Sequence, residues 1–435
     1  MRRVAPLALV CLFLASSAVR ADDWPVPRGP SREPKPHQYD PKSLAEVPHE
    51  FLDDAPASIL YSRTTHLIEP DGTTEAITHE ITRFNGRKGI EKLGEYRSIY
   101  FTPRYEKLTL NEARVIKPDG TFVPVEARHV QLRDVVTDFQ VYDESKQLVI
   151  SWPNLQVGDA YEVKWTVRGR NPEFAGEFFT RYTFGDDDHP VVRDELYVVL
   201  PRGKRLWHDA INGKVDLTKS ETRREDHYHW KAVNKQPLPR DDDRPSREEL
   251  RLQVACSTFD SWEAVGKWKH KVRAECWECT PAIKHVIGNV AKETMTPLEK
   301  ARALTYWVRQ NVRYLSRGPE GLGYTPHHPA AVLANRFGDC KDQAQLLAVM
   351  LKEIGLPVWL VTLGTLDDGQ VLETVPSPWG THAILYVEID GKGYWIDSTV
   401  SQAAWDFLPR GDCDRQVYLT RDGEIKLART PPFTY

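Results

Sequence analysis

The chain has 435 residues, length enough for two or three domains with sizeable cores. Its composition, 40% hydrophobic and 28% charged, is that of an ordinary globular protein rather than a disordered or fibrous one. Net charge is −4 at pH 7 with no basic block, which argues against a nucleic-acid partner.

Residues 1–21 read as a signal peptide. Arg2 and Arg3 form the positive start, VAPLALVCLFLA the apolar stretch, and Val19-Arg20-Ala21 a small-residue cleavage site with cleavage expected after Ala21. The apolar stretch is too short to span a bilayer, so the expectation is a secreted or periplasmic protein with no membrane span after cleavage. Residues 22–56 are polar and rich in proline (Pro25, Pro27, Pro30, Pro34, Pro36, Pro41), a PPII-like tether that cannot build a core.

From residue 57 to 245 the pattern is one of alternating strands and turns. ASILYSRTTHLIEP-DG, LTLNEARVIKP-DG-TFVPVEARHVQL and QLVISWPNLQVGDAYEVKWTVRG carry short β-branched runs and repeated Pro-Asp-Gly turns, so an all-β, sandwich-like domain is predicted. Tyr161, Trp165, Phe178 and Phe179 are candidates for an exposed aromatic platform, although strand alternation turns half of such residues inward. Asp186-Asp187-Asp188 and Asp241-Asp242-Asp243 lack the spaced oxygen ligands of a calcium loop and read as solvated turns.

Residues 246–435 are assigned to a second, α+β domain, helical in period from Ser257. SWEAVGKWKHKVRAE predicts one helix, and Thr280-Pro281 starts another. Thr296-Pro297-Leu298-Glu299 is a capping box that opens a third. Gly318 to Pro329 is a Gly- and Pro-rich loop with Tyr314, Tyr324, His327 and His328 around it, and no third ligand accompanies the two histidines. The stretch from Asn335 to Pro357 follows. Gly338-Asp339 predicts a tight turn into a helix with Cys340 at its start, and Ala344, Leu347, Ala348, Leu351 and Ile354 fall on one face. A thiol at a helix N-terminus meets unpaired N–H groups and the positive end of the dipole, which favour the thiolate and suit an oxyanion. A packed core thiol is the plainer alternative.

VWLVTLG predicts a buried strand. THAILYVEI and GYWID predict two more, joined by Asp390-Gly391, the favoured pair for a two-residue hairpin. In that register Asp397 lies opposite Ile384, on the face of His382 and one diagonal step from it. A thiol, an imidazole and a carboxylate in that order are the parts of a nucleophilic triad: Cys340 attacks, His382 takes its proton, and Asp397 fixes the tautomer. YLTRDGEIKLART then predicts a further Asp-Gly hairpin.

After the signal peptide five cysteines remain, an odd number. Cys340 is the expected leftover thiol, with Cys256, Cys276, Cys279 and Cys413 available for disulfides in an oxidising compartment. Two residues simply at helical spacing, or a bridge from Cys276 or Cys279 to Cys256 or Cys413, is preferred to a metal role, because Cys276-Trp277-Glu278-Cys279 has no second CxxC or paired His.

GDCKDQA with its helix, THAILYVEI and GYWIDST resemble the core of the transglutaminase-like superfamily over roughly residues 290–405. The resemblance implies a papain-like fold with Cys340 as nucleophile, His382 as general base and acid, and Asp397 as the orienting carboxylate. ARVIKPDGTFVPV, WPNLQVGDAYEVKW and FGDDDHPVVRDELYVVLP resemble the β-rich domain of unknown function that often precedes it in bacterial envelope proteins. The expected activity is acyl transfer on a carboxamide or peptide bond of a protein or peptide substrate through a Cys340 thioester. It needs no cofactor, and no metal is assigned. A cysteine peptidase or amidase of the same fold and a catalytically silent envelope binding module are the alternatives. Trp307 and Tyr314 stand as candidates for a second oxyanion donor.

Overall fold

In the computed structural model the described residues are 33, 37, 44–45, 47–135, 145–170, 172–174, 176–239, 246–315 and 323–433. The expected signal peptide, most of the proline-rich tether, Asp241-Asp242-Asp243 and residues 318–322 of the Gly- and Pro-rich loop lie outside them.

The Pro-Asp-Gly turns do connect strands. Gly72 and Gly120 take φ of 82° and 86°, the left-handed region in which glycine costs least. The N-terminal strands are β1 (Ala57–Ile68), β2 (Thr74–Phe84), β3 (Arg97–Phe101), β4 (Glu106–Ile116), β5 (Phe122–Pro124), β6 (Val130–Asp134) and β7 (Lys146–Ile150). They continue as β8 (Ala160–Gly169), β9 (Phe179–Phe184), β10 (Val191–Pro201), β11 (Trp207–Ile211), β12 (Asp216–Glu221), β13 (Glu225–Lys235) and β14 (Leu252–Ser257). One eight-stranded sheet has the order β12-β13-β10-β1-β2-β8-β4-β5, with β1 and β10 parallel. Two three-stranded sheets, β3-β7-β6 and β11-β14-β9, accompany it. Ile99 and Ile150 of the first small sheet join Val163 and Trp165 of the large one in one core, and Phe184, Val254 and Cys256 of the second join Leu196 and Val198 in another. Two short helices, α1 (His49–Asp53) and α2 (Arg87–Leu93), accompany the strands. The second interrupts the β pattern, and the first corrects the tether expectation at its end, because Val47 and Phe51 pack into a core with Leu60, Tyr61 and Ile81. At five and seven residues both helices are too short for helical periodicity to show in the sequence.

The C-terminal helices are α3 (Arg247–Leu250), α4 (Trp262–Val272), α5 (Pro281–Val290), α6 (Pro297–Asn311), α7 (Pro329–Asn335) and α8 (Cys340–Glu353). The Thr296–Glu299 capping box forms reciprocally. Two-residue strands β15 (Arg313–Tyr314) and β16 (Phe337–Gly338) pair in parallel just before α8. The remaining strands, β17 (Val358–Leu363), β18 (His382–Ile389), β19 (Lys392–Ile396), β20 (Gln416–Arg421) and β21 (Glu424–Arg429), form a sheet of order β19-β18-β17-β20-β21. The β18–β19 register runs from Leu385 opposite Ile396 to Ile389 opposite Lys392. Asp390 and Gly391 are thus the whole loop, both at positive φ (52° and 77°) as a type I′ turn requires. No helix among the described residues is long and apolar enough to cross a membrane.

Three further expectations are corrected. The helix after Cys340 is enclosed on every side rather than on one face: Asp342 to Leu351 are all buried. It lies against β17, β18, α6 and α7, and its polar Gln343 and Gln345 are accommodated by donating to the Val312 and Cys276 carbonyls. The cysteines do not pair, and all five described thiols are free. Cys256 is packed in a core of the N-terminal region, Cys413 in a core under the C-terminal sheet, and Cys276 donates to the Pro326 carbonyl. The aromatic platform is absent, since Tyr161, Trp165 and Phe178 are core residues and Phe179 packs against Phe174 and Tyr324.

Candidate active site

Cys340 is the first residue of α8 and is half-buried. Its helix start is built by carboxylates. The Asp339 side chain accepts the Asp342 N–H and the Asp342 side chain accepts the Asp339 N–H, both at 3.2 Å, a reciprocal capping box with Asp in place of the usual Ser and Glu. Asp342 also accepts the His327 N–H at 2.7 Å and its Nδ1–H at 2.8 Å. Burial opposes the Asp342 charge, but the His327 hydrogen bond and neighbouring Lys341 hold its pKa below the ordinary carboxylate value. The box leaves no room beside it. A Cβ on Gly338 would lie 2.7 Å from that of Asp342, so this position requires glycine.

His382 opens β18 and Asp397 follows β19, where the hairpin register predicts them to be neighbours. His382 Nε2 lies 3.3 Å from Asp397 Oδ2. The imidazole also lies close enough to Cys340 to interact with it, and with Nε2 turned to the carboxylate the nitrogen left for the thiol is Nδ1. Asp397 is fixed from two further directions. Its Oδ1 accepts the Thr399 N–H (2.8 Å) and hydroxyl (2.7 Å), and its carbonyl accepts Arg309 Nε and Nη2 at 3.0 and 2.5 Å. Burial works against a charged imidazole, but the interactions with Asp397 and Cys340 outweigh it and raise the His382 pKa well above its ordinary value. Asp397 is shifted downward: burial opposes its charge and His382 and Thr399 overcome it. The structure therefore brings together all three residues singled out in the sequence.

It does not do so for the others. His327 bonds to Asp342, and His328 caps α7 by accepting the Ala330 N–H. Trp307 lies under the Arg336 guanidinium at 5.0 Å, and Tyr314 is 43% exposed on β15. Asp186 accepts from His189 and Asp187 pairs with Arg247 and Arg251, so that acidic turn is an ion-pair tie rather than a solvated run.

Several site residues are not visible in the sequence. Asp412 lies on a short 3-10 turn, Arg410–Asp412, with its Oδ2 3.8 Å from His382 Nε2. Lys269 on α4 and Arg273, the residue that caps its C-terminus, are 3% and 4% exposed and within electrostatic reach of Cys340. The Lys269 ammonium sits 5.1, 5.6 and 5.8 Å from the ring centres of Tyr324, Trp268 and Tyr418, and burial drives its pKa far down. Helical spacing places the two cations together, but nothing local says that they face the thiol. His382, Asp397 and Asp412 are the one group among the described residues whose ligand atoms, within 4.8 Å of one another, resemble a metal site. An imidazole held protonated with Nε2 on a carboxylate offers no lone pair there. Elsewhere, a cleft of about 450 Å³ in the N-terminal region is lined by Glu80, Arg97, Tyr96, Tyr100, Asp186 and Asp194 among others.

The two regions meet beside the site. Glu173, from the N-terminal region, accepts from the Tyr324 and Thr325 N–H groups and the Thr325 hydroxyl, just ahead of His327. Arg181 of β9 stacks 3.5 Å over Trp379 and donates to the Gln370 carbonyl.

Comparison with known proteins agrees with this architecture. Residues 284–398 match the transglutaminase-like superfamily, and residues 70–239 match a domain of unknown function with a solved structure. A "putative protease" from Parabacteroides distasonis superposes with a TM-score of 0.69 at 16% identity, over 81% of this chain and 72% of that one. That likeness speaks for the fold alone. A "putative cysteine protease" from Cytophaga hutchinsonii aligns over 87% of this chain and 96% of its own at 11% identity, with a TM-score of 0.23. An M1 zinc metallopeptidase from Deinococcus radiodurans aligns over 47% and 43% at 11% identity, with a TM-score of 0.24. Neither of these two carries an argument. No match was found among curated proteins.

Proposed function

We propose that this chain, a transglutaminase-like superfamily protein whose superfamily region is preceded by a β-rich domain, is a secreted or periplasmic cysteine acyl-transfer enzyme acting on carboxamide or peptide bonds. The observation that carries the reading is His382 hydrogen-bonded to Asp397 with the Cys340 thiol close enough to interact with the same imidazole. In this reading the Cys340 Sγ proton passes to His382 Nδ1 and the thiolate attacks the carbonyl carbon. The oxyanion forms beside the free N–H groups at the start of α8. Collapse breaks the C–N bond, the leaving amine or ammonia takes the proton from His382, and a thioester remains on Cys340. An amine or water then gives its proton to His382 and attacks the thioester, and the acyl group leaves the sulfur. Asp397 holds the imidazole in register throughout, and Arg273 adds positive potential on the sulfur side.

Hydrolysis of a peptide substrate is the second reading, favoured by the fold shared with the Parabacteroides distasonis protein. The two differ only in the acceptor. Iodoacetamide alkylation of Cys340, followed by mass spectrometry across pH in wild type and His382→Ala, tests the common step. Alkylation that is rapid at pH 6 and slows in the variant supports the Cys–His pair, whereas slow alkylation indifferent to His382 sinks it and leaves a binding module. Incorporation of a labelled primary amine, measured against peptide hydrolysis, then separates transferase from hydrolase.

A further inference from the structure

We propose that Asp412 is a positioning residue of this site: a buried carboxyl that meets the Asp397 carboxylate as an acid and flanks the Nε2 edge of His382. The inference rests on the Cys340–His382–Asp397 reading and extends it from three residues to four.

Asp412 is enclosed, with 4% of its side chain exposed. Its backbone is pinned on both sides, by its N–H on the Pro409 carbonyl and by the Thr430 hydroxyl on its own carbonyl at 2.6 Å. The side chain is therefore aimed rather than mobile. Oδ2 receives no hydrogen bond from any donor around it. Its polar neighbours are His382 Nε2, 3.8 Å away, and the Asp397 carboxylate, which offers only lone pairs. Two carboxylates at this separation in a buried site resist being ionised together, and below neutrality an acid–carboxylate pair relieves the conflict by sharing one proton. Asp397 already accepts two bonds from Thr399 on Oδ1 and faces the imidazole with Oδ2, so it retains the charge. The proton belongs on Asp412, which then donates to Asp397. The charged groups facing Asp412 are His382 on β18, Asp397 beyond β19 and Arg415 ahead of β20, with the Cys413 thiol beside it in the chain. Burial and then the Asp397 charge push Asp412 up to about 7, against His382 and Arg415.

The consequence is a site with two settings. Below neutrality Asp412 is neutral and braces Asp397. Above it Asp412 is ionised, and a second negative charge faces the imidazolium, prolonging the thiolate–imidazolium pair to higher pH. No proton in the acyl-transfer sequence passes through Asp412.

The test is ring ¹⁵N NMR of His382 in the full-length protein across pH, with His382→Ala to assign the signal. Wild type is expected to show two inflections, one near neutrality from Asp412 and one higher from its own proton. Asp412→Asn keeps the shape and the bond to Asp397. It should erase the first inflection and bring the second down by about one pH unit, as expected when one buried charge a few ångströms away is lost. Superimposable titrations of wild type and variant would overturn the proposal. Should the variant not fold, a single-step wild-type curve overturns it equally, and a two-step curve supports it. Failure of the parent reading looks different: alkylation of Cys340 would then be indifferent to His382→Ala, and this inference would fall with that reading.

Discussion

Two buried networks of this molecule, one in each region, handle charge in opposite ways. In the β-rich region the carboxylates of Glu162 and Glu195 are over-supplied with donors. Glu162 receives His79 at 2.7 Å and Arg114 at 2.6 Å, and Glu195 receives Tyr61 at 3.0 Å and Arg193 at 2.6 Å. Both are 1–2% exposed, and their pKa values are depressed despite burial, that of Glu195 to about 2. Around His382 and Lys269 in the C-terminal region buried charges are left mismatched. Two acids press on one imidazole, a lysine lies among aromatic rings, and Arg273 Nε has no hydrogen-bond partner. Matched pairs fix a structure; mismatched ones hold a perturbed protonation state ready for chemistry. The contrast favours the Cys340 region, although a cleft of about 450 Å³ lies in the β-rich region.

The strongest test of that contrast is to remove the chemistry while sparing the fold. Cys340→Ala and His382→Ala should each lower kcat for acyl transfer by a factor on the order of 10⁴ or more, with unfolding midpoints in urea near wild type for Cys340→Ala. The converse change is Glu162→Ala, which strands His79 and Arg114. It should cost about 3 kcal/mol of stability in a denaturant titration and leave the His382 titration unmoved. Gly338→Ala sits between the two. Its Cβ displaces Asp342, so a loss of about 1–3 kcal/mol should come with slower alkylation of Cys340.

Acid and base sharpen the comparison further, because Glu195 and Asp412 carry opposite slopes. Glu195 has a depressed pKa, so its stabilisation is full above the unfolded glutamate value of about 4.5 and is lost as pH falls toward about 2. Asp412 has a raised pKa, so the folded state holds a proton that the unfolded state has released, and stability declines as pH rises from about 4 to about 7. Urea titrations at pH 3, 5.5 and 7.5 should show Glu195→Gln flattening the acid limb and Asp412→Asn flattening the decline toward neutrality. The smallest effect belongs to a cap remote from both networks. Thr296→Ala breaks the box at the start of α6 and should cost about 1 kcal/mol without touching activity.

What the sequence discloses about the site follows a physical rule. Local chemistry is legible: Gly338-Asp339 ahead of Cys340, the Asp390-Gly391 turn, and the hairpin register that brings Asp397 to His382 all follow from neighbours in the chain. The superfamily fold is legible for the same reason. Asp412 is not, because it follows Asp397 through an irregular segment with no periodicity, and only tertiary packing turns it toward the imidazole. Spacing likewise places Lys269 on α4 and Arg273 at its cap together without saying what they meet. The disulfide expectation failed because residue counting weighs compartment and parity but is blind to distance, and Cys256 and Cys413 belong to separate cores. The enclosed α8 shows the limit of reading amphipathicity. A helix between a sheet and other helices has no solvent face, so its glutamines turn to backbone carbonyls instead.

Strand β14 lies between β9 and β11, so residues 252–257 complete a sheet whose other strands come from the β-rich sequence, immediately before the chain enters α4. That splice constrains heredity. A recombination breakpoint ahead of β14 would hand the descendant an apolar strand with two bare edges and leave the parental sheet with a gap. It would also separate Glu173 from Tyr324 and Thr325. Neither half is expected to keep its full fold when the chain is cut ahead of β14.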